Sequence, residues 1–96
     1  MRTILKFPFD VRDPDVYLPK GAQVRLVGWQ GGDPAQLCIW AEVECADGPS
    51  LEGVKLERWE LRVFGTGHPM RDAYLTHLGS AIAGPFVWHV YRAGEY

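Results

Sequence analysis

Residues Gln36 to Glu44 carry Leu37, Ile39, Ala41 and Val43 at every second position, with Cys38, Trp40, Glu42 and Glu44 between them. A period of two puts one set on each face of a β-strand and cannot make the stripe of an amphipathic helix. The same period recurs along the chain. In Gln23 to Trp29, Val24 and Leu26 share one face, while Arg25, Val27 and Trp29 share the other. In Leu56 to Phe64, Leu61 and Val63 point inward and Glu60 and Arg62 outward. Shorter strands are expected at Thr3 to Phe7 and Val16 to Leu18. Pro8 ends the first of these or confines it to a sheet edge, because proline has no N–H for a ladder. Tyr74 to Ala83, Gly84-Pro85 and Phe86 to Arg92 read as a closing hairpin. Pro19-Lys20-Gly21 and Gly31-Gly32-Asp33-Pro34 are turns, and Ala46 to Gly53 is a polar loop. The expected fold is all-β, a small antiparallel sandwich, roll or barrel of six to seven strands. In Met70 to Leu78 a helix competes, since Met70, Ala73, Tyr74, His77 and Leu78 would share one helical face.

A chain of 96 residues makes one domain, taken as residues 1–96. With 47% apolar and 23% charged residues it has the composition of a globular protein, not a disordered one. A formal net charge of −2 gives no electrostatic footprint for nucleic acid or an anionic membrane, so neither is an expected partner. The segment MRTILKFPFD lacks the apolar core of a signal peptide, and no apolar run approaches the ~20 residues of a membrane helix. Cys38 and Cys45 fall on opposite faces of any straight strand, which reads as two reduced thiols in a cytoplasmic protein.

The segment Gly65-Thr66-Gly67-His68-Pro69 follows a strand and joins two flexible glycines to a hydroxyl, an imidazole and a rigid exit. Such punctuated loops are where binding residues sit. As an ordinary turn residue, His68 would bond its ring to the loop backbone; His89 would be a buried ring bonded to a carbonyl. The sharper reading gathers Thr66, His68, His89 and Trp40 in one pocket, with Lys6 as a cation at its rim. His77 and His89 have the parity of Tyr91 and face one another across the hairpin in this reading. The histidines and cysteines lack the paired short spacings of a zinc site, so no metal is expected. No phosphate-cradling loop, dinucleotide fingerprint or serine elbow is present, and no cofactor is expected. Trp29 and Trp40 lie opposite the aliphatic face with Arg25, Glu42 and Glu44, as a second packing layer or as an aromatic surface for a partner.

Five segments together resemble a family of small uncharacterised bacteriophage and prophage proteins. They are Lys6-Phe7-Pro8, Leu18-Pro19-Lys20-Gly21-Ala22, Ile39-Trp40-Ala41-Glu42-Val43, Gly65 to Pro69, and Phe86 to Tyr91. The last two are the specific ones. The chain departs from the family pattern in its tighter N-terminal spacing, in Ile39 where the pattern has leucine, and in a longer segment from Ala46 to Glu57. The resemblance assigns no activity; it implies a phage-type accessory protein inside a bacterial cell. The leading expectation is a non-enzymatic protein that binds a small polar or anionic ligand, such as a nucleotide, through Thr66, His68, His89, Trp40 and Lys6. One alternative is an inhibitor of a host or defence protein acting through the Trp29/Trp40 face. Another is a small hydrolase with His68 or His89 as general acid–base. An uncovered aromatic sheet face would favour a homodimer.

Overall fold

The structure is a computed structural model that describes residues 1–46, 48–71 and 74–94. Seven strands follow one another: β1 (Arg2–Asp10), β2 (Asp15–Pro19), β3 (Gln23–Gly28), β4 (Gln36–Glu44), β5 (Leu56–Gly65), β6 (Leu75–Ala83) and β7 (Phe86–Ala93). They form two antiparallel sheets, ordered β1-β4-β3 and β2-β5-β7-β6. The sheets do not close into a barrel, and the architecture is that of a small β-sandwich. No helix occurs among the described residues, and none there is long and apolar enough to cross a membrane.

The alternation of β4 appears as expected, with Leu37, Ile39, Ala41 and Val43 all buried. From the facing sheet come Val16, Leu18, Trp59, Leu61, Ala81, Ala83 and Val90. The buried side chains among the described residues are apolar, and the one unpartnered polar atom among them is the indole Nε1 of Trp59. Arg92 lies over the Trp59 ring, 3.8 Å from its centroid, as a cation–π cap. β1 runs through Pro8, which the edge position of this strand tolerates. The brief second strand is present as β2. The segment where a helix competed belongs to β6 from Leu75 onward, after Tyr74 at φ 57°; Ala73 lies outside the described residues.

Two bulges depart from simple parity. In β3, Val24 pairs with Ala41 and Leu26 with Trp40, so Arg25 is an extra residue. Its side chain bonds Glu42 and Gln23. The bulge turns Leu26 outward to 56% exposure, while Val24 and Val27 both face the core. Trp29, with the parity of Val27, packs against the core instead of sharing a face with Trp40. The expected Val24/Leu26 face and the expected Trp29/Trp40 surface are both corrected by this one inserted residue. In β6, His77 pairs with Tyr91 and Gly79 with Val90, so Leu78 is the extra residue. Gly79 sits close against the other sheet: a Cβ there would be 2.9 Å from Val27 Cγ2. Cys38 is half-buried on β4 and Cys45 is buried just beyond it, both as free thiols.

Candidate functional site

The loop after β5 is a tight turn. His68 N–H donates to the Gly65 carbonyl at 3.0 Å, and Gly67 sits at φ +87°. That is the type II pattern, which needs glycine at its third position. Gly65 serves a different purpose. The His68 ring folds back over it, and a Cβ there would lie 2.8 Å from the ring. Gly65 N–H donates to His68 Nδ1 at 3.2 Å. The neutral His68 ring therefore carries its proton on Nε2, which is left as an outward donor. The ring does bond the loop backbone through Nδ1.

The turn presents Thr66 to β7. Thr66 Oγ1 lies 2.9 Å from His89 Nε2, and Ser80 Oγ lies 2.8 Å from His89 Nδ1. His77 Nε2 lies a longer 3.4 Å from Ser80 Oγ. The result is a row of alternating hydroxyls and imidazoles across the outer face of the four-stranded sheet. The bulge at Leu78 makes the row, because without an inserted residue His77 and Ser80 would point to opposite faces. His77 faces Tyr91 across the ladder, ring to ring at 4.9 Å, and Ser80 faces His89. His89 is thus half-buried between two hydroxyls, not in the core bonded to a carbonyl.

Beside the row lies a cleft of about 260 Å³, lined by Gly65, Thr66, His68, Pro85, Phe86, Val87 and Trp88. Its outer wall comes from the hairpin that joins β6 to β7. Gly84 at φ +59° followed by Pro85 fits a two-residue type II′ loop, whose first central residue must take positive φ. Phe86 and Trp88 stack at 5.1 Å with 14° between their planes. The Trp88 indole N–H donates to the Pro34 carbonyl at 2.9 Å. The loop carrying Pro34 is itself braced. Ala35 N–H donates to Asp33 Oδ1, and Arg12 bridges Asp33 and Asp10. Gln36 donates to the same Asp10 carboxylate. Bonds from the Arg12 guanidinium and backbone N–H hold the Asp10 pKa down at about 2.

Of the five residues expected to share a pocket, Thr66, His68 and His89 come together at this rim. Trp40 and Lys6 do not. They are cross-strand neighbours on the outer face of the other sheet, where Trp40 packs over Gly28 and Lys6 Nζ donates to Gln30 at 2.9 Å. The charges on that face pair among themselves: Glu42 takes Arg2 at 2.7 Å and Arg25 at 3.0 Å, which hold its carboxyl below the usual range. A second charged string, Asp15–Arg58–Glu60–Arg62, runs along β2 and β5 away from the cleft. Ser80, Phe86 and Trp88 are site residues that sequence reasoning passed over. The signal for Ser80 was available in Gly79, since an isolated glycine within a strand marks a bulge. No group of three or more His, Cys, Asp or Glu among the described residues is placed to hold a metal ion.

No curated protein and no solved structure matches this chain. A family model does, over residues 1–95, and it takes in both the glycine-flanked loop and the last strand that frame the cleft. The chain therefore belongs to the family described as a domain of unknown function, DUF7352.

Proposed function

We propose that this chain is a small-ligand binding protein and that its site is the cleft between the Gly65–Pro69 loop and the β6–β7 hairpin. The observation that carries this reading is the lining itself. One wall is formed by Thr66 and His68, a hydroxyl and an imidazole; the other by the stacked Phe86 and Trp88 rings. Apolar walls with a few aimed polar groups are the usual make-up of a ligand site. The cleft lies just below the usual range of about 300–1,000 Å³ for such sites. It suits one planar ring with a polar substituent, such as a nucleobase or a pyridine carboxamide, better than a whole nucleotide. Among the described residues no Lys or Arg lines it, so a neutral polar group or a single carboxylate suits it better than a polyphosphate. The resemblance to small phage and prophage proteins supplies the setting: an accessory protein working inside a bacterial cell, where occupancy of a metabolite is a means of interference.

Amide-proton NMR titration with nicotinamide, uracil and benzoate tests the site. The expected result is that at least one probe shifts the signals of Thr66, His68, Phe86 and Trp88 together. Gly65→Ala pushes the His68 ring off its perch and removes the bond that sets its tautomer. Loss of one such hydrogen bond weakens binding by about tenfold. Trp40→Ala and Lys6→Ala, on the far sheet, leave affinity unchanged. Shifts centred on Trp40, or none with any probe, would refute the proposal.

A further inference from the structure

We infer that Thr66 is a nucleophile for acyl transfer, activated by His89, with Ser80 as the residue that positions the imidazole. This goes beyond occupancy and rests on the cleft reading above. A nucleophile within hydrogen-bond reach of a base, with the base held by a third group, is the geometric signature of an activated hydroxyl. Here both distances fall inside that reach, 2.9 Å from Thr66 to His89 and 2.8 Å from His89 to Ser80. The distances admit one direction along the row in which Thr66 O–H donates to Nε2 of His89, Nδ1–H donates to Ser80 Oγ, and the Ser80 hydroxyl turns toward Nε2 of His77, 3.4 Å away; this is the direction the proposal requires. Ser80 thereby holds the imidazole with Nε2 toward Thr66.

The remaining parts line the same cleft. His68 Nε2–H is a donor for a developing oxyanion, and Phe86 with Trp88 is an apolar bed for the acyl or aryl portion. The substrate class is a small ester with a good leaving group. Thr66 Oγ1 attacks the carbonyl carbon as its proton passes to His89 Nε2. The bond from that carbon to the leaving oxygen then breaks, and the departing alcohol takes the proton from His89. Water cleaves the resulting acyl–threonine ester, giving its proton to His89 and releasing the acid. His89 returns that proton to Thr66 Oγ1.

The test uses p-nitrophenyl acetate with the full chain. Release of p-nitrophenol is expected to run about 100-fold faster than with Thr66→Ala, the low end of what a positioned base supplies. Acid quench followed by mass spectrometry should place an acetyl group on Thr66. Thr66→Ser keeps the reaction and His89→Gln loses it. Ser80→Ala slows acylation about tenfold without changing affinity for the unreactive amide 4-nitroacetanilide, and Ser80→Thr restores the rate. Release that is unchanged in Thr66→Ala, or acetyl found only on lysines, overturns the inference. Binding of the amide with no turnover of the ester sinks the catalytic step alone. Failure of the amide to bind at all removes the cleft reading with it.

Discussion

Asp10 shows how a single side chain on the far side of the core bears on the cleft. Its carboxylate accepts from the Arg12 guanidinium, the Arg12 backbone N–H and Gln36. These bonds tie the end of β1 to the loop whose Pro34 carbonyl receives the Trp88 indole N–H. Folding lowers the Asp10 pKa from 3.8 to about 2. A group with a depressed folded pKa stabilises the fold above its unfolded value, and that stabilisation is lost as pH falls through the folded value. Stability should therefore decline between about pH 4 and about pH 2 as Asp10 takes up its proton. Thermal unfolding of the wild type and Asp10→Asn across that range checks this. The variant should lose part of the acid dependence, and identical profiles would count against Asp10 as a contributor.

At the scale of elements, Gly79 and Val27 mark a tight meeting of the two sheets, β6 against β3. Gly79→Ala should destabilise by ~1–3 kcal/mol, the usual cost of overpacking a dense contact. The double variant Gly79→Ala/Val27→Ala should be more stable than the two separate losses add up to, because the added methyl enters space that truncating Val27 leaves open. Strict additivity in chemical denaturation would refute that coupling. The same strands show what sequence reading reached. β4, with its unbroken alternation, was legible residue by residue, as were the inward Leu61 and Val63 of β5. β3 and β6 were legible as strands but not as faces. One inserted residue at Arg25 and one at Leu78 reverse the parity of everything after them; Gly79 marks the second, while nothing in the residues around Arg25 announces the first. Leu26 was lost to this effect, and so was Ser80, the hydroxyl that joins His89 to His77.

For the whole molecule, the order of strands decides which residues meet. Thr66 and His68 could be associated from sequence because they share one five-residue loop, and His89 joins them because β5 and β7 are neighbours in the sheet. Trp40 and Lys6 could not be excluded from that pocket, because β1 and β4 belong to the other sheet and strand order is a property of long-range pairing. The pairing is strongly non-local: Arg2 stands opposite Glu44 and Val16 opposite Trp59. Closing such loops precedes the contacts that reward it, so the chain should fold in milliseconds to seconds and not in microseconds. Stopped-flow refolding from guanidinium, followed by tryptophan fluorescence, measures this; complete recovery within the dead time would contradict it.

One side of the cleft is the end of β5 with the loop after it, the other is the β6–β7 hairpin with the start of β7, and the contact from Thr66 to His89 ties that loop to β7 beside the cleft. Any guest large enough to pry the walls apart must also stretch that link. On the acyl-transfer proposal, admission by size and continuity of the proton path are one mechanical variable: an oversized guest disconnects the wire that a well-fitting one leaves intact.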